Sequence, residues 1–148
     1  MAEAILRHVG GERFEAFSAG SRPAGFIHPL ALDALAEIGV PVVDQQSKSW
    51  DELATTEFDA VITLCDSAAA EPCPVFPGPA IRAHWSTPDP AYHIGTDDER
   101  LAYAVLIAQR LRDKVERLME IDFSAPAAQI QQRLRFLGEI CKALPIGD

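Results

Sequence analysis

Two cysteines, Cys65 and Cys73, are the residues of this sequence best placed to do covalent chemistry. Cys65 directly follows an apolar run, Phe58–Leu64, that is typical of a parallel strand buried on both faces. A thiol at a strand end can ionise and exchange with a second thiol, provided that the two Cα atoms approach within about 7 Å. The residues between the cysteines are mostly small, so little packing opposes that approach and the pair is a candidate redox dithiol.

Two other interpretations of these cysteines remain open at this point. Cys65 could be a small buried apolar residue, as free cysteines often are, although a second cysteine in a loop weakens that interpretation. A zinc site fits less well, because no Cys-x-x-Cys and no pair of histidines at zinc-finger spacing accompanies the pair. The third cysteine, Cys141, lies on an apolar helical stripe and is predicted to belong to the core.

Asp89 is the third candidate because prolines precede and follow it and stiffen its loop. A carboxyl group held in this way can act as a general acid towards a leaving group. The same Pro-Asp-Pro sequence is also an ordinary turn, which is the better interpretation when it is taken alone. His84 and Trp85, just upstream, are predicted to pack at a strand end rather than to act in catalysis.

Alternating or continuous apolar runs predict the elements that position these residues. Strands are predicted over Phe14–Phe17, Phe58–Leu64 and Ile81–Trp85. Ligands of an open parallel sheet bind beyond the carboxyl ends of its strands. Ser18-Ala19-Gly20, Cys65 and Asp89 each follow a predicted strand, so we expect all three along one edge of the sheet.

Helices are predicted between and after the strands. Their predicted positions are Ala2–Val9, Pro29–Ile38, a long helix opened by the capping box at Thr96–Glu99, and a last helix from about Ser124 with Ile130, Leu134, Leu137 and Cys141 on one face. The alternation predicts an α/β fold, namely a three-layer, doubly wound parallel sheet, within residues 1–120. Residues 121–148 are predicted to form a C-terminal helical extension that either covers a face of the domain or makes a homodimer contact.

Composition narrows the possible partners. The chain has 148 residues, 48% of them hydrophobic, and no apolar run long enough to span a bilayer. Its formal net charge of −9 argues against nucleic acid and anionic membranes as partners, since both attract basic surfaces. An odd number of cysteines without a secretion signal predicts a reducing, cytoplasmic location.

From Met1 to about Met119 the sequence resembles thioredoxin-coupled arsenate reductases, a branch of the low-molecular-weight tyrosine phosphatase superfamily. The matching segments are Met1-Ala2-Glu3, Phe17-Ser18-Ala19-Gly20, His28-Pro29, Ser47-Lys48-Ser49, Val61-Ile62-Thr63-Leu64-Cys65-Asp66, Cys73-Pro74-Val75-Phe76-Pro77, and His84-Trp85 through Asp89-Pro90. The cysteine pair and His84-Trp85 favour the reductase branch. Plain phosphatases lack the redox pair and typically carry two tyrosines after the Asp-Pro, where this chain has Ala91-Tyr92.

The resemblance implies a cysteine relay. In the family, arsenate is attacked by the cysteine of a Cys-x5-Arg loop, and Asp89 matches the general acid. Cys65 would attack the cysteine–arsenic adduct and release arsenite, and Cys73 would then attack Cys65 to leave a disulfide that thioredoxin reduces. No cofactor is implied. Some relatives hold potassium with an acidic residue at the position of Lys48, whose ammonium would replace that cation, so no bound metal is expected.

The sequence departs from this pattern at the nucleophile. Arg would have to follow a cysteine by six residues, but Glu71, Pro79 and Gly147 occupy those positions. In relatives the loop ends immediately before the Met-Ala-Glu that opens this sequence, and the predicted first helix has no capping residue before it. We therefore expect the central first strand and the oxyanion loop to be absent from these 148 residues, through a misassigned start codon or a true truncation, and the 148-residue chain by itself to be inactive.

Two alternative functions remain. The first is a low-molecular-weight phosphatase that acts on phosphoesters, in which Cys65 and Cys73 are incidental. The second is a non-catalytic dithiol module that senses oxidants or binds soft ligands such as arsenite.

Overall fold

Four α-helices and two β-strands form the regular structure of residues 1–65 and 76–140, the part of the chain that the computed structural model describes. The elements are α1 (Ala2–Gly10), α2 (Pro29–Glu37), β1 (Ala60–Thr63), β2 (Ile81–His84), α3 (Asp97–Leu118) and α4 (Ala127–Glu139). All four predicted helices are confirmed. The last begins three residues later than Ser124, because Pro126 with extended backbone precedes its first turn.

The strands β1 and β2 are parallel neighbours, with Thr63 opposite His84 at their carboxyl ends. This pairing confirms an α/β fold with a parallel sheet. The segment 64–80 joins the end of β1 to the start of β2, and its residues 66–75 lie outside the described part of the chain.

The strand predicted at Phe14–Phe17 is wrong, because the described structure forms no strand there. Phe14 has extended backbone, with φ −128° and ψ 138°, as the alternating sequence suggested. The carbonyl of Ala16, however, accepts hydrogen bonds from the Arg7 side chain, from Nε at 3.3 Å and from Nη2 at 3.2 Å. A side chain from α1 thus satisfies a backbone group that a ladder would otherwise occupy.

The core lies around α3, which packs against α1, α2 and α4. Its largest fully buried side chains are Ile5 on α1, Ile107 on α3 and Leu134 on α4. Complete burial of such a side chain stabilises the fold by roughly 1.5–3 kcal/mol. The apolar stripe predicted for the last helix is confirmed at Ile130, Leu134 and Leu137, whereas Cys141 lies outside the described residues. Within the described residues, α4 therefore packs onto the core rather than standing apart from it.

The capping box predicted at the start of α3 is confirmed. Thr96 Oγ1 accepts the backbone N–H of Glu99 at 3.2 Å, and Glu99 Oε2 accepts the backbone N–H of Thr96 at 2.7 Å. The backbone hydrogen bond from Thr96, followed by its side-chain hydrogen bond, holds the pKa of Glu99 below its ordinary value of 4.5. The pKa is depressed in the folded state, so this contribution to stability is present above that ordinary value and is lost as the pH falls through the folded pKa.

Thr96→Ala is expected to lower the free energy of unfolding by about 1 kcal/mol at neutral pH, because it removes the N-cap oxygen. Glu99→Gln is expected to flatten the acid side of the stability profile below pH 4.5, since the titrating group is gone. Urea denaturation followed by circular dichroism across the acidic range measures both effects. Asp98→Asn, in the same helical turn, is the matched control. A Glu99→Gln profile parallel to that of the parent would contradict the assignment.

Within residues 1–65 and 76–140, each helix is too short or too polar to cross a lipid bilayer.

Candidate active site

The carboxyl ends of β1 and β2 are joined beyond the last paired residues. The backbone N–H of Trp85 donates to the carbonyl of Thr63 at 2.8 Å, and that of Thr87 donates to the carbonyl of Leu64, also at 2.8 Å. The side chains of Thr63 and His84 also meet across the strands, with Oγ1 2.7 Å from Nδ1. The edge predicted to hold the site is therefore fixed as far as the residue before Cys65.

Cys65 follows β1 by two residues, and its side chain is exposed. The interpretation of Cys65 as a small buried apolar residue is therefore wrong. An exposed thiol at the carboxyl end of a parallel strand can be reached by a second thiol or by a partner protein, which thiol–disulfide exchange requires.

Asp89 lies on the segment that leaves the same edge after β2. Its Oδ1 accepts the backbone N–H of Ala91 at 2.9 Å, and it caps the 3-10 turn Pro90–Tyr92. The side chain is exposed. The turn interpretation of Pro-Asp-Pro is confirmed, and the turn fixes the direction of the carboxylate. A general-acid role for Asp89 stays a prediction.

In Ser18-Ala19-Gly20, the third group expected at this edge, Gly20 pairs with a different segment. The backbone N–H of Gly20 donates to the carbonyl of Lys48 at 3.0 Å, and the N–H of Trp50 donates to the carbonyl of Gly20 at 3.1 Å. In the described chain, backbone pairing thus brings the ends of β1 and β2 together and connects Ser18-Ala19-Gly20 to residues 48–50.

A buried polar cluster at α1 was not predicted from the sequence. Glu3 is only 5% exposed, its Oε2 accepts the Ser18 hydroxyl, and its Oε1 lies 2.7 Å from Nη2 of Arg7. That approach is an ion pair outside hydrogen-bond geometry, since Oε1 has no hydrogen-bond donor among the described residues. The spacing of Glu3 and Arg7 by four residues on a helix was the available signal. The cluster ties α1 to the segment before Gly20.

Three aromatic rings anchor the far end of the segment that carries Cys73. Phe76, the first described residue after it, is 7% exposed and packs edge-on against Phe58 with ring centroids 5.2 Å apart. Phe58 packs in the same way against Phe17 at 5.5 Å. The predicted site residue Cys73 itself lies outside the described residues. Its pairing with Cys65 therefore stays a prediction.

No cluster of three or more His, Cys, Asp and Glu side chains suited to a metal ion occurs in residues 1–65 and 76–140. The ammonium group of Lys48 is predicted from the sequence to replace a bound cation. In the structure, the backbone carbonyl of Lys48 accepts the N–H of Gly20.

Comparison with known proteins shows the family to which the sequence belongs. The sequence matches the low molecular weight phosphotyrosine protein phosphatase family over residues 1–132. The chain belongs to that family. The match includes α1, both strands, Cys65, Asp89 and α3, and it ends inside α4.

Several similar curated relatives are arsenate reductases. The chain is 36% identical over 115 residues to arsenate reductases of Halalkalibacterium halodurans and Bacillus subtilis, covering 78% of this chain and 78% of each relative. It is 32% identical over 120 residues to the arsenate reductase of Bacillus licheniformis, covering 81% of this chain and 85% of the relative. The resemblance to the arsenate reductase branch, drawn from motifs, is confirmed.

Solved structures confirm the fold. Two arsenate reductases in the reduced state superpose with TM-scores of 0.61 and 0.62 at 21% sequence identity. The first superposition covers 80% of this chain and 85% of the solved chain, and the second covers 82% and 87%. The low-molecular-weight phosphatase-like α/β fold predicted from the sequence is therefore confirmed.

Proposed function

We propose that this protein takes part in the reduction of arsenate to arsenite in the cytoplasm, through a cysteine relay that thioredoxin restores. The observation that carries the proposal is the exposed Cys65 at the carboxyl ends of β1 and β2, in a chain that is 36% identical to curated arsenate reductases. Cys65, Cys73 and Asp89 are the residues assigned to the chemistry.

The relay begins with an arsenate bound covalently to a cysteine of a Cys-x5-Arg loop, which has to come from outside these 148 residues. The Cys65 thiolate attacks the sulfur of this adduct and forms an S–S bond. The electron pair of the broken S–As bond passes to arsenic, which leaves as arsenite, As(III). Two electrons are transferred, and two thiols have become one disulfide.

Cys73 completes the cycle. Its thiolate attacks the sulfur of Cys65 and expels the first cysteine as a thiolate, which leaves a Cys65–Cys73 disulfide. A thioredoxin dithiol then reduces that disulfide by two further exchange steps. Because Cys65 is exposed at the sheet edge, a protein reductant can approach it.

Asp89 is assigned as the general acid of the first step. Attack on arsenate expels a hydroxyl group, and a nearby carboxyl group can donate the proton that lets it leave as water. The Ala91 hydrogen bond and the flanking prolines hold the Asp89 carboxyl group in one orientation, as this role requires.

Binding of arsenate needs hydrogen-bond donors or cations close to the site, because the chain has a formal net charge of −9 and repels oxyanions at long range.

The apolar stripe of α4 is buried within the chain and is not available for a homodimer. A homodimer contact through α4 would therefore use its outer face, where Phe136 is 62% exposed.

A second candidate function is hydrolysis of phosphoesters, which the match to the phosphotyrosine phosphatase family favours. That reaction needs the same oxyanion loop and general acid but no second or third cysteine. The dithiol module is the third candidate, and it is favoured by the missing Cys-x5-Arg pattern in this sequence.

Cys73→Ser separates these functions in the protein purified from its own organism. The proposal predicts that arsenate turnover with thioredoxin falls to about a single turnover, because the first cysteine stays in its disulfide with Cys65 and can no longer be expelled, while hydrolysis of p-nitrophenyl phosphate is unchanged. Arsenite is counted by element-specific mass spectrometry after chromatography. Full arsenate turnover by Cys73→Ser would contradict the relay, and a parent that hydrolyses the ester but makes no arsenite would favour the phosphatase.

A further inference from the structure

The C-terminal helix α4 lies directly against the strand-end pair His84 and Trp85. At Gly138 of α4, a Cβ atom would stand 2.5 Å from the carbonyl oxygen of His84 and 3.1 Å from Cδ1 of Trp85. Real Cβ atoms do not approach backbone oxygen so closely, so any other residue here would push α4 and β2 apart. Glycine allows the helix to touch the strand.

The indole of Trp85 is fixed from two sides. Its side chain is 3% exposed, and Nε1 donates to the carbonyl of Leu134 on α4 at 2.9 Å. On the α3 side, Nζ of Lys114 lies 5.9 Å from the centroid of the ring. A buried hydrogen bond together with close packing gives the Trp85 side chain a single position.

Trp85 is also bonded to the strand that leads to Cys65. Its backbone N–H donates to Thr63, and the N–H of Thr87 donates to Leu64, both at 2.8 Å. Hydrogen bonds therefore connect α4 to Trp85 and Trp85 to Thr63, two residues before Cys65, and Thr87 adds a bond to Leu64.

We propose that Trp85 and Gly138 are positioning residues for Cys65, through which α4 fixes the carboxyl ends of β1 and β2. The proposal rests on the proposed function, since it assigns these residues to the Cys65 step of the relay. Leu134 and Gly138 both lie beyond residue 132, where the family match ends. The part of the device that α4 supplies therefore lies outside the matched region, whereas Trp85 lies within it.

The test uses the full 148-residue chain with Cys73→Ser and Cys141→Ser, so that Cys65 is its single thiol. Gly138→Ala introduces the clash, and Trp85→Phe removes the indole N–H while keeping an aromatic ring. Gln132→Ala, at an exposed position of α4, is the matched control. Two properties are measured: amide hydrogen exchange by NMR, and the rate and pH profile of Cys65 alkylation by iodoacetamide.

Both test variants are expected to speed amide exchange at Trp85 and Thr87 at least tenfold while the amides of α1 and α2 keep the parent rates. The alkylation rate of Cys65 is expected to differ at least threefold from that of the parent, with a shifted pH profile, and the control to match the parent. Since alanine favours a helix over glycine, a purely local effect of Gly138→Ala would instead stabilise α4.

Parent-like alkylation and exchange in the two variants would overturn the proposal, and so would equal acceleration of every core amide, which indicates general destabilisation. Neither measurement uses arsenate. A failure of the positioning proposal is thus distinguishable from a failure of the arsenate reductase assignment.

Discussion

Replacement of Cys65 by Ser is expected to lower arsenite production at least about 10³-fold, as loss of a covalent nucleophile does in other enzymes. The reason is that the attack of Cys65 breaks the S–As bond, and the electron pair of that bond reduces arsenic. A serine hydroxyl cannot form the S–S bond that replaces the S–As bond. Arsenate would remain attached to the first cysteine, and no arsenite would leave.

The measurement is arsenite formed per protein molecule, in protein carrying Cys65→Ser expressed and purified in its own organism. Cys141→Ser is the matched control and should keep the parent rate, because no step of the relay uses Cys141. Hydrolysis of p-nitrophenyl phosphate by Cys65→Ser should also persist. Arsenite production near the parent rate would show that Cys65 is not the attacking thiol.

The purified 148-residue chain is expected to make no arsenite from arsenate and thioredoxin. None of its three cysteines is followed by Arg six residues later, so it has no loop of the family type to hold and attack an oxyanion. Such loops combine backbone N–H groups with one cation, and the formal net charge of −9 makes that local arrangement indispensable.

The same chain should nevertheless cycle its dithiol. Mild oxidation is expected to link Cys65 to Cys73, and thioredoxin is expected to reduce the bond, with a mass change of about two daltons for two hydrogens. Peptide mapping identifies the linked cysteines, and Cys73→Ser is the control that cannot close the bond. Sustained arsenite formation by these 148 residues would contradict the first expectation, and failure of Cys65 and Cys73 to form a disulfide that thioredoxin reduces would contradict the second.

Local patterns predicted most of the described fold. The capping box at Thr96 and the apolar stripe of α4 are short-range signals, and each predicted a helix that the structure confirms. The continuous apolar run before Cys65 likewise predicted β1. In these segments the spacing of the apolar residues matches the face of the element that is buried.

Long-range contacts account for what the sequence did not predict. The Phe14–Phe17 pattern is that of a strand, yet Arg7 satisfies the Ala16 carbonyl from another element, which no local window reveals. The contact between Gly138 and His84 joins residues far apart in the sequence, and a lone glycine within a helical pattern gives no sign of it.

The candidate site was predicted in part. Cys65 and the segment carrying Asp89 leave the same edge because parallel strands must end together, and this topological argument held for β1 and β2. The argument does not extend to Ser18-Ala19-Gly20, because the strand predicted before it does not form and Gly20 pairs with Ser49 instead. The assignment of chemistry to these residues came from the resemblance, since strand ends alone do not specify a substrate.

The most direct test of the central claim is the ratio of arsenite formed to NADPH consumed. The protein is purified from its own organism and supplied with arsenate, thioredoxin and thioredoxin reductase. The account predicts one arsenite for each NADPH, because each cycle closes and reopens one Cys65–Cys73 disulfide. NADPH consumption that does not depend on arsenate, or none at all, with no arsenite formed, would contradict it.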